Sequence, residues 1–200
     1  MLNVGILVFD EVEVLDFAGP FEVFSTAARL EVRSGREAPF HVSIVAKVPG
    51  LVRARGGLRV EPDFAFEQHP MMDVLIVPGG DVSGQLQDDE TLRWIARTAP
   101  LARVTASVCT GAFLLAAARL LQGRRATTHW EDAGELQRMY AETRVETGRR
   151  WIDEDAIVTS AGVSAGLDMS LHLVGRLAGS QLAAATARQM DYAWQGSAKI

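Results

Sequence analysis

The 200-residue chain holds one cysteine, Cys109, in the segment Ser107-Val108-Cys109-Thr110-Gly111. An apolar run of strand character, Val104–Val108, leads into it, and a helical run, Ala112–Leu121, follows at once. Such a strand-to-helix elbow exposes the side chain at its tip, while Gly111 lets neighbouring backbone approach closely. The helix that starts beyond the cysteine sets its positive end beside the sulfur, which lowers a thiol pKa and favours the nucleophilic thiolate. Read plainly, the same residue is a small buried hydrophobe, the usual setting of a lone cysteine.

Other residues carry two readings each. Gly79-Gly80 closes the apolar run Val74–Val77 either as a tight turn or as a pair of backbone amides free to face a ligand. Asp16 precedes a helical segment beginning near Gly19 and reads as its N-cap, with Pro20 in the first turn. Thr128 and Glu131 have capping-box spacing and open a helix over Trp130–Tyr140. His129 lies inside that box, so its ring is structural or part of a site. His41, His69 and His172 are assigned no role.

The elements that must position these residues alternate. Val4–Phe9 and Val74–Val77 are unbroken apolar runs, as expected of strands covered on both faces. Val42–Ala46, Val104–Val108 and Ala156–Ser160 are further strands by composition. Helical periodicity marks Gly19–Leu30, Glu90–Ala99 and Ala112–Leu121, a face formed by Leu167, Leu171, Val174 and Ala178, and a terminal helix over Gln181–Trp194. This order predicts an α/β fold with a mostly parallel sheet between two helical layers. Gly56-Gly57 sits between short extended pieces and predicts a small β-hairpin inserted beside the sheet. No repeat, low-complexity tract or linker interrupts residues 1–200, so one domain is expected. Ligands in open α/β sheets bind at the carboxyl ends of strands, which selects four loops: Asp10–Asp16, Pro78–Gly80, Val108–Gly111 and Ala161–Gly166.

Composition narrows the partners. Twenty Lys plus Arg against 25 Asp plus Glu give a formal charge of −5, and no block of basic residues suggests a nucleic-acid surface. One cysteine makes neither an internal disulfide nor a CxxC pair. The N-terminal segment lacks a basic region and is interrupted by acids after Phe9, so neither a signal peptide nor a membrane anchor is expected. Ala112–Leu121 is about half the roughly 20 residues a bilayer requires. A reduced, cytoplasmic protein is the expectation.

The segments VGILVFDEVEVLDFAGPFEVF, IVPGGD, SVCTGAFLLAAARLLQGRRATTHW and TSAGVSAGLDMSL, in this order and spacing, resemble the ThiJ/PfpI superfamily, relatives of the class I glutamine amidotransferases. Within it the chain is most similar to the isonitrile hydratase branch and to the sensor domain of AraC-type regulators. The resemblance implies a flavodoxin-like three-layer fold, a reactive elbow cysteine at Cys109 and a homodimer. It places Asp16 on the carboxylate that faces the cysteine, Thr110 and the amides of Gly79 and Gly80 on the pocket lining, and His129 on a histidine that some relatives hold near the site.

Departures from other branches count too. Peptidase-like members carry His after the nucleophile, where this chain has Thr110. Amidotransferases use a downstream His-x-Glu pair, whereas His172 is followed by Leu173 and Val174. The helix-turn-helix elements of the regulators have no counterpart within the 200 residues, so direct DNA contact is not expected. The reading that follows is a hydro-lyase in which Cys109 attacks a small-molecule isonitrile, Asp16 supplies the proton, Thr110 positions water or substrate and no metal or organic cofactor takes part. A cysteine-based redox or ligand sensor and a glyoxalase or deglycase remain the alternatives.

Overall fold

The computed structural model describes residues 1–194 and 196. In chain order the elements are β1 (Leu2–Leu7), α1 (Val14–Arg33), β2 (Phe40–Ala46), β3 (Val52–Arg53), β4 (Arg59–Val60), β5 (Phe64–Ala65), β6 (Val74–Val77), α2 (Ser83–Leu86), α3 (Asp89–Thr98), β7 (Val104–Val108), α4 (Gly111–Ala117), β8 (Arg125–Ala126), α5 (Ala133–Met139), β9 (Arg144–Val145), β10 (Trp151–Glu154), β11 (Ile157–Ser160), α6 (Ala165–Ala178) and α7 (Ser180–Gln189). Seven strands form one sheet in the order β10-β11-β7-β6-β1-β2-β5. All its pairings are parallel except that of the edge strand β10 with β11. Helices α1, α6 and α7 pack together as one layer, and α2, α3 and α4 as another.

The expected architecture is therefore present: a flavodoxin-like sandwich with a mostly parallel central sheet and a small hairpin, β3–β4. The central strands are buried on both faces, from Val4 and Ile6 through Leu75, Ile76 and Val77 to Val104, Ala106 and Val108, which accounts for their unbroken apolar runs. Among the described residues no helix is long and apolar enough to cross a membrane.

Strand β1 has β2 on one side and β6 on the other. Successive connections thus diverge beside β1, at the switch point where open α/β sheets leave a crevice. The loop after β1 and the turn after β6 meet across it through an isolated antiparallel bridge between Val12 and Gly80.

Several boundaries differ from the sequence reading. Helix α1 begins at Val14 rather than near Gly19, so Asp16 lies in its first turn and Glu13 takes the cap position. Of the two readings of Asp16, the capping one is thereby removed, and Pro20 stands inside the helix. Because proline has no N–H, it cannot supply the helical donor that the Asp16 carbonyl would otherwise receive. The Thr128–Glu131 capping box does not form either: α5 starts at Ala133, and the Thr128 hydroxyl is spent on the elbow. Helix α4 stops at Ala117 instead of Leu121, where Arg119 turns left-handed at φ +62°, a common way to end a helix. The terminal helix ends at Gln189, short of Trp194. Strand β10 lay outside the sequence reading because Asp153 and Glu154 break its pattern at the sheet edge.

Candidate active site

The elbow is built by β7 and α4. Cys109 has φ +55°, a left-handed conformation that non-glycine residues adopt rarely. Three bonds hold it there: its N–H donates to the Ser160 carbonyl at 3.2 Å, and its carbonyl accepts from the Thr128 hydroxyl at 2.8 Å and from the Ala112 amide at 3.3 Å. Gly111 is required next, since a Cβ at that position would collide with the Val77 carbonyl at the end of β6. Cys109 as a whole is 8% exposed.

Asp16 reaches the elbow from the first turn of α1 and is wholly buried. Its Oδ2 accepts the Gly79 amide at 3.1 Å. Its Oδ1 is buried and has no hydrogen-bond partner among the described residues. An under-solvated carboxylate of this kind favours its proton. Burial, helped by the charge of Glu13, outweighs the Gly79 amide, the Cys109 thiol and Arg55, so the Asp16 pKa is raised from 3.8 to about 7.

The thiol moves the other way from the sequence expectation. Burial first, and then the charge of Asp16, push the Cys109 pKa from 9.0 up to about 12, against the amides of Thr110 and Val163 that donate toward the sulfur. The seven-residue α4 does not offset these costs. Two acids that each resist ionising beside the other titrate as a pair. Near neutrality the pair holds one proton or two, and the thiolate forms by passing its proton to Asp16.

Thr110 and the glycine turn serve each other. The Thr110 hydroxyl accepts the Gly80 amide at 2.9 Å and donates to the Gly80 carbonyl at 2.9 Å. A side chain at Gly79 would strike Thr110 and press on Asp16. The amides of both glycines are consequently engaged inside the protein rather than turned to a ligand. Thr110→Val strands two partly buried polar groups of Gly80, so unfolding should become easier by about 1 kcal/mol. A denaturation curve that overlays wild type would show the clamp to be dispensable.

His129 lies against the far wall. Its ring packs on Gly162 and tilts over Trp130, and its Nδ1 is 3.4 Å from Asp132. The structure thus brings Cys109, Asp16, Gly79, Gly80 and Thr110 together, with His129 on the loop that pins the elbow. Three residues escaped the sequence reading. Val163, in the candidate loop after β11, has φ +36°, strained for a β-branched residue, and aims its amide at the sulfur. Asp132 adds negative charge near the thiol. Arg55, on the turn of the hairpin, ion-pairs with Glu13 at 3.5 Å. None of them has a residue type or spacing that marks it before the fold is known.

A strained elbow cysteine facing a buried carboxyl, at the switch point of a flavodoxin-like sheet, defines a class of cysteine-centred α/β proteins. The chain belongs to the DJ-1/PfpI family, whose sequence pattern it matches over residues 3–176. It is 37% identical over 193 residues to an isonitrile hydratase of Pseudomonas putida, covering 96% of this chain and 79% of that protein. It is 31% identical over 190 residues to the transcriptional regulator GbdR of Pseudomonas aeruginosa, spanning 95% of this chain but half of the regulator. A ThiJ/PfpI family protein from Pseudomonas syringae superposes with a TM-score of 0.85 at 30% identity, over 96% of this chain and 75% of that one.

Proposed function

We propose that the chain is a cysteine-dependent hydro-lyase that hydrates an isonitrile to an N-substituted formamide. The observation that carries this reading is Asp16: a buried carboxyl beside the nucleophile, with its pKa raised to about 7, can hold a proton at neutral pH and deliver it. General acids work best when their pKa lies near the working pH. The 37% identity to an isonitrile hydratase supports the same choice of substrate.

In the reactive form of the pair Asp16 is protonated and Cys109 is a thiolate. The terminal isonitrile carbon takes the proton from Asp16 and a bond from the sulfur, giving a thioimidate. Water then adds to that carbon, while Asp16 accepts a proton from it and passes one to nitrogen. The C–S bond breaks, the last hydroxyl proton returns to Asp16, and the formamide leaves with the pair restored. The amides of Thr110 and Val163 stabilise charge on sulfur at the start and end of the cycle. Atoms balance with water alone, so the scheme calls on no metal or organic cofactor. Family resemblance adds a single domain working as a cytoplasmic homodimer.

A neutral alkyl isonitrile incubated with the protein in D2O should yield the formamide with deuterium at the formyl carbon, read by proton NMR. Absence of formamide across a series of alkyl and aryl isonitriles would remove the hydratase reading. Ligand sensing without turnover is the second reading, favoured by the match to GbdR.

A further inference from the structure

The hairpin β3–β4 is fastened to the loop that leads into α1. The Arg53 amide donates to Asp10 Oδ1 at 2.8 Å, the Glu11 amide to the Arg53 carbonyl at 2.8 Å, and the Arg55 amide to the Val12 carbonyl at 3.0 Å. On its other edge the same loop is sewn to the glycine turn, through Glu13 N–H to the Gly79 carbonyl at 2.9 Å and Asp81 N–H to the Glu11 carbonyl at 3.1 Å. The turn of the hairpin therefore delivers one guanidinium to the entrance of α1, where it meets Glu13 at 3.5 Å.

We propose that Arg55 is a positioning residue for the reacting pair: by neutralising Glu13 it governs how readily Asp16 gives up and regains its proton. Glu13 stands at the cap position of α1, three residues before Asp16, and the Asp16 amide donates to its carbonyl at 3.1 Å. The groups facing the Asp16 carboxyl are the Cys109 thiol from the elbow, the Gly79 amide from the glycine turn, Glu13 from its own helix and Arg55 from the hairpin. Glu13 and Arg55 act on it with opposite sign. Left unpaired, the Glu13 carboxylate would keep a larger share of Asp16 protonated at neutral pH, leaving less of it free to take a proton from the thiol or from water. Asp81, nearby, is held below the usual carboxylate range chiefly by the hydroxyl and amide of Ser83, with Arg55 adding a smaller pull.

The inference rests on Asp16 and Cys109 acting as the reacting pair, and its test needs no substrate. The alkylation rate of Cys109 by iodoacetamide, followed against pH in the intact protein, should rise through about 7 as the pair loses its first proton, then level off. Arg55→Gln should move that inflection up by about half a unit, the size expected of one exposed charge. Glu13→Gln should move it down, Arg55→Lys should keep it near wild type, and the double Gln variant should return it. The Arg55→Gln displacement should also shrink in 1 M salt, where the screening length is about 3 Å. A purely structural role for the hairpin would give neither opposite signs nor salt sensitivity. An inflection unmoved by Arg55→Gln, or moved equally by Arg55→Lys, overturns the proposal. A wild-type profile with no inflection near 7 overturns the pair itself, a different failure that the variants do not produce.

Discussion

Cys109→Ala should abolish formamide production down to the background of water and leave the fold intact. The hydroxyl of Thr110, the nearest alternative nucleophile in sequence, has both its proton and a lone pair committed to Gly80. His129 is turned toward Asp132. Ser107, two residues before the cysteine, is wholly buried within β7. The substitution removes one sulfur from a nearly buried site, so its cost in stability should stay near 1 kcal/mol, and the left-handed backbone at φ +55° strains alanine as it strains cysteine. Circular dichroism would report the intact fold while NMR reports the missing product. Normal turnover in this variant would end any mechanism centred on the cysteine.

Asp16→Asn should separate chemistry from stability in opposite directions. Without a titratable carboxyl, proton delivery to the isonitrile carbon fails, and turnover should fall roughly 10²–10⁴-fold. Stability should rise above neutral pH. A carboxyl whose folded pKa exceeds its unfolded one favours the native state fully only below the unfolded value, and that contribution is lost as pH climbs through the folded value. For Asp16 the window runs from 3.8 to about 7, a span equivalent to at most roughly 4 kcal/mol. Asparagine carries no charge to bury and can still accept the Gly79 amide. Wild type should therefore weaken from pH 4 to 8 relative to the variant, with the two alike at pH 4. Parallel stability curves across that range would show that Asp16 is ionised throughout, and the acid would have to be sought elsewhere.

Much of the fold is legible because its strands are buried on both faces and announce themselves as Val74–Val77 does. Elements at the margins are less so: β10 carries Asp153 and Glu154, and β8 and β9 have two residues each. The sequence alone sets the start of α1 too late, for a physical reason. Gly19 and Pro20 look like a helix beginning, yet the turn before them is already helical because Glu13 and Val12 are tied to the glycine turn and hairpin. The difference matters, since it puts Asp16 inside the helix that aims it. At the site, the elbow cysteine could be read from its neighbours in sequence. The sign of its pKa shift could not, because it depends on burial and on an acid 93 positions away in the chain. Arg55 and Val163 act through backbone placement and charge reach, which sequence spacing does not encode.

The engagement of the glycine amides also limits which reactions the pocket suits. Peptide and ester cleavage pile negative charge onto a carbonyl oxygen, and proteins that catalyse them keep idle N–H groups waiting for it. Here the Gly79 amide already serves a carboxyl and the Gly80 amide a hydroxyl, so the turn after β6 has no spare donor for such an oxygen. Isonitrile hydration makes no comparable demand: its charge travels between sulfur, nitrogen and the Asp16 proton. On the proposed reading, the turn after β6 is spent on holding Asp16 and Thr110 in place rather than on a substrate oxygen.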